Sequence, residues 1–353
     1  MTIFLSILVM ALAVYLLAII TDEYFIVSLD QISRRFNIPG NVAGASLMAM
    51  GSSAPELFIA LMALLIAGGS HSDVGIGTIV GSAIFNILVI TGASAVAHPV
   101  AVTWRVVVRD VVMYTFSLAL LIAAFSDGQI TLWEAALFLV LYAVYIVVLF
   151  NWHAFAPEED DGPVEVVSDE IDLQRERSGI YFRITALVSR IIGFFMGNPE
   201  KSYWRAFAVS IAFIAILSYF LVESAIVFAE VLSIPPVIVA LTILAAGTSV
   251  PDLFASVVVA RQGRGDMAVA NAVGSNVFDI LIGLGLPWVL VLIFQGGTIE
   301  VGTADLFTST MLLLGTVILL FVFLTTGRKL SRVEGVILIL AYMLYVLWVW
   351  FGN

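Results

Sequence analysis

The sequence contains no cysteine, which excludes disulfide bonds, thiolate metal ligands and cysteine nucleophiles. Charged residues are also scarce, at 12% of the 353 residues, whereas soluble proteins carry about 25%. The charges that are present are mostly acidic, and the net charge of −11 predicts that nucleic acid is not a partner.

Apolar residues are correspondingly abundant. They make up 61% of the chain, above the roughly 45–50% of soluble proteins. Runs such as 3–20, 311–324 and 335–351 are long enough, or nearly so, to cross about 30 Å of hydrocarbon as helices. The composition therefore excludes a soluble enzyme or a soluble binding module. It predicts an all-α polytopic membrane protein that lies in a lipid bilayer.

Ten transmembrane helices are predicted from the apolar runs and the breakers between them. They lie near residues 3–28, 40–67, 75–97, 106–126, 130–150, 206–231, 236–260, 267–294, 305–325 and 333–351. The first run lacks a basic segment and a cleavage site, so we expect a retained helix rather than a signal peptide. The chain then divides into a first membrane repeat at 1–150, an acidic linker at 151–205 and a second membrane repeat at 206–353.

The distribution of basic residues predicts the orientation. All 15 Lys and Arg residues fall between alternate spans, and the other connections have none. The positive-inside rule then places both termini outside and the 151–205 linker in the cytoplasm. Acidic runs in the linker lack the spacing of an EF-hand, and 180–195 has the pattern of an interfacial helix. The short linker and the missing signal peptide favour a prokaryotic plasma membrane, which is the inner membrane.

Two blocks of sequence recur in the same order. The block GSSAPELF at 51–58 matches GTSVPDLF at 247–254, and VGSAIFNI at 80–87 matches VGSNVFDI at 273–280. Because each half has five predicted spans, an odd number, the second half must be inverted. Two inverted five-helix repeats with interrupted helices at the midplane are typical of secondary transporters.

Three carboxylates lie deep within predicted spans, at Glu56, Asp252 and Asp279. On membrane-insertion scales each ionised carboxylate costs at least about 2.5–3.5 kcal/mol there. No Lys or Arg lies in the spans near them, so ion pairing within the chain does not explain them. A bound cation is the simplest partner.

Other oxygen-bearing side chains accompany these carboxylates at helical spacing. They are Ser53 with Glu56, Thr248 and Ser249 with Asp252, Ser82 with Asn86, and Ser275 with Asp279. Hard cations such as Ca²⁺, Na⁺ and K⁺ prefer sites made of oxygen. Pro55 and Pro251 each free the carbonyl four residues earlier, although a kink for packing is the alternative interpretation. Gly77 and Gly81 form a GxxxG that we interpret as a packing motif.

The recurring blocks resemble the alpha repeats of the cation/calcium exchanger superfamily. Residues 72–86 and 259–279 are most similar to the potassium-dependent sodium/calcium exchangers, and 104–152 also looks similar. The resemblance implies that Glu56 and Asp252 are the central Ca²⁺ and Na⁺ ligands. The further metal-binding residues that it implies are Ser53, Ser82, Ser249 and Ser275 for sodium, Asn86 at the centre, the backbone carbonyls of Ala49, Ser52, Ala245 and Thr248, and Asp279 and Asn276 for potassium.

The resemblance also implies a function: a secondary active antiporter that exchanges Na⁺ for Ca²⁺ by alternating access, with K⁺ carried alongside Ca²⁺ and no cofactor. A potassium-independent Na⁺/Ca²⁺ exchanger and a Ca²⁺/H⁺ exchanger remain alternatives, because an acid at Asp279 does not by itself establish potassium transport. A passive Ca²⁺ channel is the alternative from a different class. We expect no enzyme, because no nucleophile–base pair is evident and HExxH is absent. The partners are thus inorganic cations and lipid, and the oligomeric state is left open.

Overall fold

The computed structural model describes residues 2–37, 47, 49–66, 71–101, 104–155, 180–301, 304–327 and 329–352, and these are almost entirely helical. Four of the helices contain a π-helical turn, and each of these is one continuous element. In chain order the helices are α1 (Thr2–Arg35), α2 (Ala49–Ser52), α3 (Ala54–Leu65), α4 (Ser72–Ala97), α5 (Trp104–Ala124), α6 (Leu132–Phe155), α7 (Ile180–Met196), α8 (Tyr203–Leu232), α9 (Pro236–Arg261), α10 (265–295), α11 (Ala304–Gly327) and α12 (Arg332–Phe351). The π-helical turns are Thr21–Phe25 in α1, Asn86–Ile90 in α4, Ala240–Leu244 in α9 and Asp279–Leu284 in α10.

Eight of the described helices, α1, α4, α6 and α8 to α12, are long and apolar enough to cross a membrane. The spans predicted near 40–67 and 106–126 are not among the eight, and each includes side chains outside the described part of the chain. The helix α3 has 12 residues and rises only about 18 Å, which is short of the roughly 30 Å of a bilayer core. The protein is a multi-pass helical membrane protein, and the count of ten spans stays a prediction.

The buried apolar side chains form two clusters. The larger is built mainly on α4, α5, α6, α10, α11 and α12, and α4 is buried at every residue from Val74 to Phe85. The smaller joins α1 and α8 to α3, with Phe25 stacked on Phe207 at 5.4 Å between ring centroids. Residues of α9 contribute to both clusters. A pair of helices, α1 and α8, therefore packs beside a larger bundle.

Four short strands link the two halves of the chain: β1 (Val100–Ala101), β2 (Gln129–Ile130), β3 (Ile299–Glu300) and β4 (Lys329–Leu330). The strand β1 pairs antiparallel with β4, and β2 pairs antiparallel with β3. Each ribbon joins two connections that the basic residues predict to lie on the same side of the membrane. This pairing favours the predicted path of the chain, although the inversion of the second repeat stays a prediction.

Of the predicted linker, residues 156–179 lie outside the described residues. The helix predicted at 180–195 is confirmed as α7, which packs on α1. The hydroxyl of Tyr24 donates to the carbonyl of Ser189 at 2.7 Å, and the Ser189 hydroxyl donates to the Glu23 carboxylate. Its interfacial position stays a prediction.

Close contact between α4 and α9 depends on Gly77 and Gly81. A Cβ atom at Gly77 would lie 3.1 Å from Cγ2 of Val237, and one at Gly81 would meet the main chain of Leu241, 2.7 Å from its carbonyl carbon. The predicted packing role of these glycines is confirmed. Their small size lets the α4 and α9 backbones approach closely beside the polar residues that follow on each helix.

Candidate ion-binding site

The first recurring block forms a broken helix. The helix α2 ends at Ser52, Ser53 has φ −91° and ψ 7°, and α3 begins at Ala54 with Pro55 in its first turn. Proline suits this position because its missing N–H would have no helical partner there. Glu56 follows in the same turn, where the helix dipole favours a negative charge.

The matching block in the second half is not broken, contrary to the expectation of paired interrupted helices. Pro251 lies inside the continuous segment Ala245–Arg261 of α9. A proline removes one helical hydrogen bond, but packing on both sides can hold the helix together. Ala245 and Ser249 before it and Ser256 after it are all buried. The two matching blocks therefore share residues but differ in backbone.

The second pair of blocks has matching backbone. Asn86 is the first residue of the π-helical turn in α4, and Asp279 is the first residue of the π-helical turn in α10. Single π-helical turns are rare and occur frequently at functional sites. The two positions match in the sequence repeat, so both halves deliver a polar side chain from the same local structure.

Hydrogen bonds join the two halves at these residues. The hydroxyls of Ser82 on α4 and Ser249 on α9 are 2.8 Å apart. Asn86 donates from Nδ2 to Oδ1 of Asn276 at 2.9 Å, with Oγ of Ser275 at 3.4 Å from the same nitrogen. These contacts fix α4 against α9 and α10, and all five side chains are buried.

Asn276 is itself held from two sides. Its Nδ2 atom donates to the carbonyl of Ala83 and to the hydroxyl of Tyr114, both at 3.2 Å. In the sequence repeat Ala83 is the residue that matches Asn276. At these matching positions the two halves therefore contribute different groups: α10 supplies the side-chain amide of Asn276, and α4 supplies the backbone carbonyl of Ala83 that accepts its hydrogen bond.

The three carboxyl groups lie close enough to interact electrostatically with one another. The side chain of Thr248 lies next to the Glu56 carboxylate, and the side chain of Ser53 lies next to the Asp279 carboxylate. Glu56 is 3% exposed and Asp279 is 1% exposed. The structure thus brings the acidic residues of both halves together.

Several oxygen atoms at this centre are buried without a hydrogen-bond partner. They are Oε2 of Glu56, Oδ1 of Asp279 and Oδ1 of Asn86. An unpaired buried oxygen, above all one of a carboxylate, is costly unless a donor or a cation satisfies it. The salt bridges that join Arg34 to Asp30 and Arg109 to Asp110 include none of the three carboxylates.

The remaining predicted ligands lie within one helical turn of Ser53 or Ser249. Ser52 bonds the carbonyl of Ala49 at 3.4 Å, and Thr248 bonds the carbonyls of Leu244 at 3.2 Å and Ala245 at 3.4 Å. Among the described residues, no three acidic or histidine side chains are arranged as ligands of one metal ion. A cation held here would therefore draw on hydroxyl, amide and backbone oxygens as well as carboxylates.

A small cavity of about 20 Å³ borders this centre, which is room for one water-sized occupant. Ser52, Thr248 and Asp252 line one part of it. The other part is lined from α1, by Thr21 and Asp22 among others, and sequence reasoning passed over both residues. The sequence feature that could have identified them is a carboxylate next to a threonine inside an apolar helix.

The fold and the site together define a helical membrane protein with a buried acidic centre surrounded by hydroxyl, amide and backbone oxygens, as in a cation transporter. The chain belongs to the family described as "Sodium/calcium exchanger protein", which matches it over residues 6–151 and 202–351. The two matched segments contain every candidate ligand named above.

Relatives similar to this chain are named as sodium/potassium/calcium exchangers. Sodium/potassium/calcium exchanger 4 of Mus musculus is 29% identical, over 94% of this chain and 78% of that protein. Sodium/potassium/calcium exchanger 5 of Homo sapiens is 32% identical, over 93% of this chain and 79% of that protein.

Solved structures share the fold. The H⁺/Ca²⁺ exchanger CAX has a TM-score of 0.72 at 15% identity, covering 98% of this chain and 82% of that chain. The sodium-calcium exchanger NCX_Mj has a TM-score of 0.58 at 20% identity and covers 98% of both chains. The predicted resemblance to the cation/calcium exchangers is confirmed.

Proposed function

We propose that this protein is an antiporter that exchanges Na⁺ for Ca²⁺ across the membrane and carries K⁺ together with Ca²⁺. The observation that carries the proposal is the set of buried oxygens at Glu56, Asp279 and Asn86 that have no hydrogen-bond partner. The names of the relatives, which include sodium, potassium and calcium, support the choice of cargo. The ions are substrates here and not resident cofactors.

The charge at the centre supports the potassium part of the proposal. Ionised Glu56, Asp252 and Asp279 would supply three negative charges, which one Ca²⁺ and one K⁺ would neutralise. In a medium of low dielectric constant an unbalanced charge is strongly unfavourable. Asp279 with its neighbour Asn276 is therefore the proposed potassium-binding part of the site.

The proposed ligands are those on which the hydrogen bonds and the cavity converge. They are the carboxylates of Glu56, Asp252 and Asp279, the amides of Asn86 and Asn276, the hydroxyls of Ser53, Ser82, Ser249 and Ser275, and the backbone carbonyls of Ala49, Ser52, Ala245 and Thr248. Carboxylate, amide, hydroxyl and carbonyl oxygens are the ligands that hard cations prefer.

Exchange requires that the site faces either side of the membrane when it is loaded but does not change sides when it is empty. The two apolar clusters support such a motion, because α1 and α8 pack together in the smaller cluster with α3, apart from the core of the larger bundle. We expect α1 and α8 to slide past the bundle while the ligands on α4, α9 and α10 stay together.

The proposed setting is a plasma membrane, with both termini outside and the linker in the cytoplasm. The arrangement of two inverted five-helix repeats is supported by the ribbons β1–β4 and β2–β3, each of which would lie on one side of the membrane. Inward flow of sodium would then drive calcium and potassium outward.

The test is radiolabelled calcium uptake into proteoliposomes that contain the full chain. The vesicles are loaded with sodium, either potassium or choline is present outside, and valinomycin keeps potential effects separate. Uptake that needs both internal sodium and external potassium is the expected result. Uptake that ignores potassium would leave a simple Na⁺/Ca²⁺ exchanger, and uptake driven only by a proton gradient would indicate a Ca²⁺/H⁺ exchanger. Uptake without any gradient would indicate a channel.

Two variants sharpen the test. Glu56→Gln keeps the shape of the side chain but removes a charge at the centre, so calcium uptake should fall to background. Asp279→Asn leaves two carboxylates, which Ca²⁺ alone balances, so sodium-driven uptake should persist without its dependence on potassium. Asp127→Asn is the matched control, because Asp127 is exposed and bonds only locally, to the amide of Gln129. Full activity in Glu56→Gln would refute the site.

A further inference from the structure

The cavity beside the acidic centre has polar residues on the α1 side as well. Thr21 and Asp22 are the first two residues of the π-helical turn in α1, and both line the cavity. Thr248 and Asp252 of α9 line the same space. With Ser52, two carboxylates and three hydroxyls from helices of both halves thus border a volume that holds one small occupant.

The hydroxyl of Thr21 indicates that this space takes a ligand. Thr21 is 3% exposed, and its Oγ1 atom has no hydrogen-bond partner. Buried threonines in helices usually donate to the carbonyl four residues earlier. Thr78, Thr242 and Thr310 do so at 2.6 to 2.8 Å. Thr21 therefore differs from them in having an oxygen free at the cavity.

The opposite half has no such pair. Glu23 recurs in the sixth predicted span as Glu223, 200 residues later. At the same spacing Thr21 and Asp22 correspond to Leu221 and Val222, which are buried and apolar. The α8 helix therefore offers no oxygen ligand at these positions, and the polar pair belongs to one of the two halves.

We propose that Thr21 and Asp22, together with Thr248 and Asp252, form an additional cation-binding position through which Ca²⁺ or Na⁺ passes on its way to or from the central carboxylates. This inference rests on the proposed function, since it assigns residues on the path of the same cargo. The ligand set is all oxygen, which suits these hard cations. The cavity admits one ion that has lost most of its water. Because α8 is apolar at the matching positions, only the α1 side of the site has this position.

The test compares two substitutions of one residue. Thr21→Val keeps the shape and removes the oxygen, whereas Thr21→Ser keeps the oxygen. Asp22→Asn removes the charge. Ser218→Ala is the control, because the Ser218 hydroxyl is also buried without a partner but does not line the cavity. Each full-length variant is assayed for sodium-driven calcium uptake and, in detergent, for equilibrium binding of radiolabelled calcium.

We expect Thr21→Val to raise the calcium concentration for half-maximal uptake and binding about five-fold, the effect of losing one oxygen ligand. Asp22→Asn should raise it about ten-fold or more, because the lost ligand is charged. Thr21→Ser should retain most of the calcium affinity that Thr21→Val loses, because the oxygen is kept, and Ser218→Ala should behave as the unmodified protein.

Equal affinity in Thr21→Val and the unmodified protein would overturn the inference. Equal losses in Thr21→Val and Thr21→Ser would also overturn it, since they would indicate a role in packing. If the unmodified protein binds calcium but shows no sodium-driven uptake, the proposed exchange fails. The calcium-binding measurements then test the additional cation-binding position without the uptake assay. Weaker calcium binding by Thr21→Val than by Thr21→Ser would still support that position.

Discussion

The hydrogen bond between Ser82 and Ser249 allows a quantitative test of how the two halves are joined. The two hydroxyls are 2.8 Å apart, and each residue is 1% exposed. Replacing either serine by alanine leaves the other hydroxyl buried and unpaired, which should lower the free energy of unfolding by about 1–3 kcal/mol. Replacing both removes both groups, so the double variant should lose less than the sum of the single variants. The expected coupling is about 0.5–1.5 kcal/mol.

The assay is denaturant unfolding of the full chain in detergent micelles without sodium, so that ion binding does not contribute to stability. Ser117 supplies the control. It is also fully buried, but its hydroxyl donates to the carbonyl of Met113 on its own helix at 2.9 Å. The effects of Ser82→Ala and Ser117→Ala should therefore add, because the two residues share no partner.

Additive effects of Ser82→Ala and Ser249→Ala would refute the reasoning, since they would show that the two hydroxyls are not partners. A second readout separates structure from ion binding. Because both serines are proposed sodium ligands, the sodium concentration for half-maximal calcium uptake should rise in both single variants. It should not rise in Ser117→Ala.

Further predictions concern helix packing and the linker helix. Gly81→Ala should destabilise the protein by about 1–3 kcal/mol, because the new methyl group would meet the main chain of Leu241. The control is Gly315→Ala, which should be neutral or slightly stabilising because the space around Gly315 is open. Unfolding in detergent measures both, and equal effects would contradict the contact. Ser189→Ala removes the donor to the half-buried Glu23 carboxylate, so hydrogen exchange in α7 should accelerate about five-fold. Unchanged protection there would show that this contact does not hold the helix.

Much of the membrane architecture was predictable because it depends on local properties of the sequence. The length of an apolar run decides whether a helix can cross the bilayer, and the helices α4, α6 and α8 to α12 lie where such runs predicted them. The cost of a carboxylate in a membrane does not depend on the fold, so Glu56, Asp252 and Asp279 were evident from the sequence. Their proximity followed from the repeat.

Other features depend on tertiary packing and were not predictable. The same Gly-x-Ser-x-Pro pattern gives a helix broken at Ser53 in the first half and a continuous helix through Pro251 in the second. The π-helical turns leave no recognisable pattern in the sequence. Thr21 and Asp22 stand out in the sequence as a polar pair in an apolar helix, but their place at the cavity depends on which face of α1 meets α9.

The centre is a joint product of the two halves. Ser82 is hydrogen-bonded to Ser249, and Asn276 donates to the carbonyl of Ala83. Thr248 lies next to Glu56, and Ser53 lies next to Asp279, so each of these four pairs takes one residue from each repeat. Neither repeat alone could supply these partners.

Within that symmetry one matched pair differs in charge, because an amide at Asn86 corresponds to a carboxylate at Asp279. Two identical repeats would give an even number of negative charges, two or four. When all of these carboxylates are ionised, the mismatch makes the number three, which a divalent and a monovalent cation balance together and a divalent cation alone does not. The proposed coupling of potassium to calcium therefore follows from a single break in the symmetry of the site. Asp279→Asn restores the even number, so this one variant tests the whole argument.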